Sequence, residues 1–146
     1  WDACRRFIAK VNSAQKSSMR LPTEAEWEYA CRAGTIGSYS GTGNLDERGW
    51  YSGNSGETIH PVGKKLPNHW GFYDMHGNVR EWCADRYDIY PERDVIDPVG
   101  ELRGRYHVIR GGCFIESAYF CRSEYRSSGI AYDAAYHTGF RVALDE

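Results

Sequence analysis

Apolar residues at the start of the chain recur at helical spacing. Trp1, Cys4, Phe7, Ile8 and Val11 share one face, with Asp2, Arg5, Arg6 and Lys10 elsewhere on the wheel. This pattern predicts a core-facing helix of about three turns. Asn12, Ser13, Ser17 and Ser18 mark a loop after it. The run Leu21-Pro22-Thr23-Glu24-Ala25-Glu26-Trp27-Glu28-Tyr29-Ala30-Cys31-Arg32-Ala33-Gly34 carries the clearest local signal in the chain. Thr23 with Glu26 three residues on is a capping box, in which the hydroxyl accepts the N3 amide proton and the carboxylate reaches back to the cap amide. Glu24 and Glu26 suit the positive end of a helix and Arg32 the negative end, and Gly34 can take the left-handed stop. A second helix from Glu24 to about Ala33 follows, with Trp27, Ala30 and Cys31 facing the core.

Residues 34–71 keep neither period. Such a length of irregular chain needs specific contacts to be ordered, and Trp50, Tyr51, Pro61, Val62 and Trp70 are the candidate pins. Beyond it, a turn through His76-Gly77-Asn78 leads into a strand-like Val79 to Cys83. Ala84 to Arg105 reads as a surface excursion punctuated by Pro91, Pro98 and Gly100. Val108 and Ile109 then run into Gly111-Gly112, and Phe140 and Val142 alternate about Arg141, so both ends of the 110–141 stretch read as strands closing a small antiparallel sheet. The fold class expected is α+β, one domain over 1–146, with two helices and much irregular structure.

Between those strands lies a different alphabet. From Ile115 to His137 there is no Lys, Gln, Met, Trp, Asn or Pro, while Tyr119, Tyr125, Tyr132 and Tyr136 recur among Ser117, Ser123, Ser127, Ser128, Gly129 and Asp133. Tyrosine gives large contact area at small entropic cost and the short polar residues give adaptable hydrogen bonds, as in antibody paratopes. An ordinary loop with half-buried tyrosines is the competing reading.

Charge narrows the partners. Lys+Arg 18 against Asp+Glu 20 leaves a net charge of -2, which offers nothing to a phosphate backbone or an anionic membrane, so neither nucleic-acid binding nor membrane insertion is expected. No apolar run reaches the length of a membrane span, and the first residues lack the order of a signal peptide. Localisation is left open, display on a cell or virus particle surface included. Five cysteines, Cys4, Cys31, Cys83, Cys113 and Cys121, form no C-x-x-C pair and read mostly as small buried hydrophobes. Asp74 and Glu81 flank the turn at Gly77, where two carboxylates and free carbonyls could make a hard-oxygen site of the kind calcium accepts. Equally, Asp74 could cap the turn while Glu81 pairs with an arginine.

Four phrases stand in one order: the Leu21 to Ala30 run, Gly77-Asn78-Val79-Arg80-Glu81-Trp82, Arg110-Gly111-Gly112, and Gly139-Phe140-Arg141-Val142. Together they resemble the formylglycine-generating-enzyme (sulfatase-modifying-factor) family, a variant of the C-type lectin fold, over the whole chain, with the family's usual N-terminal portion expected to be missing. The family holds both enzymes and binders. The resemblance implies two active-site cysteines, five residues apart, for copper-dependent oxidation of a substrate cysteine. The second falls on Cys121, but the first falls on Glu116, and one thiolate cannot give the two-sulfur ligation that copper(I) favours. It also implies calcium at Asp74, Gly77, Val79 and Glu81, with Arg80 in place of the family's usual Trp. His60, His69, His76, His107 and His137 form no H-x-x-E-H or H-E-x-x-H pattern.

A further branch with this fold is the variable proteins of diversity-generating retroelements, in which adenine-directed mutagenesis yields Tyr, Ser, Ala, Ile, Asp, Gly, His or Phe between the Gly-Gly pair and the final Gly-Phe-Arg. That resemblance implies varied, ligand-facing positions at Ile115, Ser117, Tyr119, Phe120, Tyr125, Ser127, Ser128, Ile130, Tyr132, Tyr136 and His137. Glu116, Ala118, Cys121, Arg122, Glu124 and Arg126 would be fixed scaffold. Two functions follow as expectations: a non-catalytic domain binding a protein or other macromolecule, or a copper-dependent oxidase with a rearranged dithiol.

Overall fold

The computed structural model describes residues 1–100 and 104–145. Helix α1 (Asp2–Gln15) leads to the short strand β1 (Met19–Arg20) and helix α2 (Glu24–Arg32). A one-turn helix α3 (Leu45–Arg48) runs into β2 (Gly49–Trp50). Then come β3 (His76–Gly77), β4 (Arg80–Arg86), β5 (Tyr106–Arg110), a 3-10 turn (Ala118–Cys121), β6 (Ser127–Ile130), β7 (Thr138–Gly139) and β8 (Ala143–Leu144).

The main sheet has the order β6-β5-β4-β7. It is mixed rather than wholly antiparallel, because β7 joins β4 in parallel while β4, β5 and β6 alternate in direction. Both faces are covered, so β4 and β5 alternate between two cores. Trp82 and Ile109 pack with Ile8 of α1 and Leu21, while Cys83 and Val108 pack with Trp27 and Cys31 of α2 and with Met75. Rows of apolar residues on both faces of a strand are what a sheet buried on both sides requires.

The capping box forms as its spacing dictates: the Thr23 hydroxyl accepts from the Glu26 amide at 3.2 Å and Glu26 accepts from the Thr23 amide at 2.8 Å. The left-handed stop comes one residue before Gly34, at Ala33. Helix α1 is a turn longer than expected, and Phe7 on its apolar face is largely exposed, edge-on to Phe140. The last strand differs more. β7 ends at Gly139, residues 140–142 belong to no strand, and β8 leaves the main sheet to pair with β1. Of the excursion from Ala84 to Arg105, the first three residues belong to β4 and 87–100 run over the surface, with 101–103 outside the described residues. No helix among the described residues is long and apolar enough to cross a membrane.

The irregular stretch is held by long-range contacts. Trp50 stacks on His60 at 3.7 Å with Lys65 over its ring, the Tyr51 hydroxyl donates to Asp46, and Asn68 donates to the Ala30 and Cys31 carbonyls of α2. Trp70 packs edge-on against Tyr29, whereas Val62 is exposed and pins nothing.

Candidate ligand-binding surface

After β5 the chain turns at Gly111-Gly112. Gly112 has φ +69, and a Cβ there would lie 2.7 Å from both the Cys121 sulfur and the Phe120 carbonyl oxygen, so the position needs glycine twice over. Beyond the turn the side chains divide into anchors and outward groups. Cys113, Phe114, Cys121 and Ser123 are buried, while Ile115, Ser117 and Tyr119 are exposed.

The anchors are tied to the loop of 34–71 and to the turn before β4. Glu116 forms a two-point ion pair with Arg80, one arm at 2.9 Å, and its carbonyl accepts the Ser52 amide. The Ser55 hydroxyl donates to the Phe114 carbonyl, the Tyr39 hydroxyl to Ala118, and the Ser123 amide to Ser38. His76, fully buried, lies between the two layers. Its Nε2 accepts the Ser40 amide at 3.1 Å, which fixes the tautomer, so Nδ1–H donates to the Cys121 carbonyl at 2.8 Å. Burial lowers its pKa to about 4 and keeps it neutral. Arg110, with no exposed side-chain surface, donates to the Ser123 and Glu124 carbonyls and pairs with Glu24 and Glu28 of α2; Arg126 reaches the same Glu24 at 2.6 and 2.7 Å.

The outward groups fall into three clusters. Tyr119, Phe120 and Tyr125 form an edge-to-face knot with ring centroids 5.0–5.6 Å apart, and the Arg122 guanidinium lies 3.9 Å over Tyr119. Tyr136 leans on Phe114 and His137. Tyr132 stands apart, its hydroxyl 3.5 Å from Arg105. Tyr119, Tyr132 and Tyr136 are 56%, 70% and 71% exposed, while Phe120 and Tyr125 are half-buried within the knot.

Ser127, Ser128 and Ile130 lie in β6, paired with Ile109, Val108 and Tyr106. Ser127 faces the Trp82 side of the sheet, the side on which a Cβ at Gly129 would meet Trp82 at 2.6 Å; Ser128 is exposed and Ile130 half-buried. Tyr87 and Tyr90 were not singled out from the sequence, yet both rings receive the Arg126 guanidinium, at 4.7 and 3.9 Å. Their spacing beside an excursion otherwise rich in charge was the available signal.

All five cysteines are free, and all but the half-buried Cys4 are buried. Burial pushes the Cys121 thiol up to about 12, with Glu116 adding to it, and burial pushes Cys113 up to about 11. Both are neutral thiols near pH 7. Where the resemblance puts the first active-site cysteine stands a carboxylate committed to Arg80. Glu116 and Cys121 therefore offer one thiol and one carboxylate where a copper(I) dithiolate at those positions needs two thiols, and no group of three or more His, Cys, Asp or Glu side chains placed to hold a metal occurs among the described residues.

The turn at Gly77 is equally committed. Both Glu81 oxygens accept from Arg141, at 2.5 and 2.7 Å, and Trp27 Nε1 donates to Oε2 at 2.7 Å. Asp74 Oδ2 accepts the Gly63 amide, while Oδ1 is buried without a partner among the described residues. Gly77 and Val79 lie between, with the Gly77 amide donating to Gly111. Three of the roughly four lone-pair directions of the Glu81 carboxylate are thus taken by N–H donors.

The architecture is α+β of the C-type lectin-like kind, in its formylglycine-generating-enzyme variant. The sulfatase-modifying factor enzyme 1-like domain profile matches residues 7–146, and the chain belongs to that family. It is 38% identical over 158 residues to the formylglycine-generating enzyme of Thermomonospora curvata, covering 92% of this chain and 52% of that protein. Among solved structures, Treponema denticola variable protein 1 superposes with a TM-score of 0.83 at 40% identity, over 88% of this chain and 48% of that one. PvdO from Pseudomonas aeruginosa superposes with a TM-score of 0.82 at 32% identity, over 94% and 57%. The chain thus spans about half the length of each of these proteins.

Proposed function

We propose that this chain is a ligand-binding module that presents the Tyr/Ser-rich surface of 115–137 to a protein or other macromolecule, as a variable protein of a diversity-generating retroelement would. The observation that carries this reading is the division of labour after Gly112. Glu116, Cys121 and Ser123 are buried or ion-paired beneath the surface, whereas Ile115, Ser117 and Tyr119 face water between them. Side chains that face outward from an independently fastened backbone can change without cost to the fold, and tyrosines on a rigid base bind with little entropy to lose. The likeness to a variable protein supports the same reading. Commitment of Glu116 to Arg80, at the position where the resemblance puts the first active-site cysteine, speaks against the oxidase.

Sequencing the DNA around the gene tests it. The reading expects a near-copy of the 110–141 coding stretch that differs at adenines, beside a reverse transcriptase. Differences should fall at the codons of outward residues such as Ser117, Tyr119, Tyr132 and Tyr136, and spare Glu116 and Cys121. A gene with no such copy, or one varied chiefly at Glu116 and Cys121, would count against it.

A further inference from the structure

The charged side chains around the display surface are spent on one another. Glu116 is paired with Arg80. From Arg122 a line of charges alternates in sign without a break. Arg122 meets Glu124 at 3.3 Å, Glu124 meets Arg32 at 3.9 Å, and Arg32 meets Glu28 at 2.8 Å. Glu28 in turn holds the buried Arg110, which lies 3.2 Å from Glu24, and Glu24 holds Arg126 at 2.6 Å. Glu24, Glu28 and Arg32 form one stripe of α2, so the line stitches 122–126 along that helix. Five arginines thus meet four glutamates, and the exposed Asp133, without an ion pair among the described residues, supplies a fifth carboxylate. Arg105 beside Tyr132 adds a single exposed cation.

A charged ligand group that approached such a pair would meet both signs at nearly the same distance, and their fields largely cancel. To engage Arg126 or Arg110 it would have to strip the buried Glu24 of its partner. Tight binding of a polyanion such as a nucleic acid draws on roughly 6–10 phosphate contacts, which one free arginine does not supply. Carbohydrate is disfavoured for a different reason. Stacking a sugar needs an open ring face, and one face of Tyr119 lies under the Arg122 guanidinium while Phe120 and Tyr125 meet it edge to face.

We propose that this surface is built for an uncharged, apolar face of a protein, held by ring contact and not by ion pairs. The inference rests on the reading of 115–137 as a display surface and narrows its partner. Ile115, Tyr119 and Tyr136 offer the exposed apolar area, and Ser117 the adaptable hydrogen bond.

Single-domain antibodies selected from a phage library on the immobilised chain test this. Clones that lose binding to a chain carrying Tyr119→Ala and Tyr136→Ala together report on this surface. Their affinities should stay within about twofold between low salt and about 0.5 M NaCl, and their binding loops should not be enriched in Asp or Glu over the starting library. The parent chain should also pass unretained through a heparin column at physiological ionic strength. Clones whose affinity falls about tenfold or more with salt, loops rich in acid, or retention on heparin overturn the inference while leaving a display surface in place. A selection in which no clone depends on the two tyrosines tells against the display surface itself, and the inference falls with it.

Discussion

Arg80, the first residue of β4, grips Glu116 of the display segment by both carboxylate oxygens. This pair fastens the outward-facing turn to β4, an interior strand of the main sheet. It also occupies the place where the enzymes of the family would carry a cysteine.

Removing either partner leaves the other charge partly buried and alone. Glu116→Ala and Arg80→Ala should each cost about 2 kcal/mol. The double variant should lose less than the sum, with a coupling of roughly 1–2 kcal/mol. Urea unfolding of the four proteins measures this, and additive losses would show that the pair is not the fastening.

Acid should weaken the protein in two windows. His76 has its pKa lowered from 6.5 to about 4 by burial, so the unfolded chain takes up a proton that the folded one refuses. Its contribution is therefore present above pH 6.5 and is lost between 6.5 and about 4, an effect of about 3 kcal/mol. Glu26 has its pKa lowered from 4.5 to about 2, chiefly by its hydrogen bond to Arg20, so its contribution is lost between 4.5 and about 2 and is smaller because the pair is well exposed. Melting temperature against pH should fall through both windows. The first limb should vanish in His76→Gln, which starts from a lower plateau because the Ser40 amide and Cys121 carbonyl lose their partner.

Arg48 is buried with no carboxylate within 4.0 Å among the described residues. Among the described residues its Nε has no partner, and its only hydrogen bond is to the Pro67 carbonyl. A buried charge without a counter-charge is a net cost, so Arg48→Met should raise stability by about 1 kcal/mol or more in urea unfolding. A loss of that size would mean the guanidinium is needed.

Gly112→Ala should be among the most damaging small changes in the chain. The left-handed backbone and the 2.7 Å approaches to Cys121 and Phe120 both oppose a Cβ, and neither neighbour is the free end of a flexible chain. A cost of about 2–4 kcal/mol is expected in urea unfolding. Gly34→Ala, where a Cβ meets open space, isolates the backbone part of that cost.

The elements set by neighbours in sequence were legible, and those set by distant contacts were not. Thr23 and Glu26 are three residues apart, so the start of α2 could be read directly. Ser127-Ser128-Gly129 has little strand character of its own and becomes β6 only because β5 offers a free edge. The loop of 34–71 looked shapeless because its partners, Phe114, Ala118 and Ser123, lie far along the chain. His76 stood out only as part of a turn, since nothing local signals that its ring bridges Ser40 and Cys121. The arginine that pairs with Glu81, Arg141, is distant in sequence, so the sequence could say only that some arginine stands there. At the surface, the alphabet of 115–137 picked out the exposed tyrosines but could not separate Tyr132 from Tyr125, whose ring is packed among its neighbours.

Thermal melting of a chain carrying Tyr119→Ala, Tyr132→Ala and Tyr136→Ala together tests most directly whether these rings are a contact patch on a finished scaffold. A melting temperature within about 5 °C of the parent, with the transition still cooperative, is the expected result. Loss of the cooperative transition would show that the rings belong to the core, and would contradict the binding surface itself.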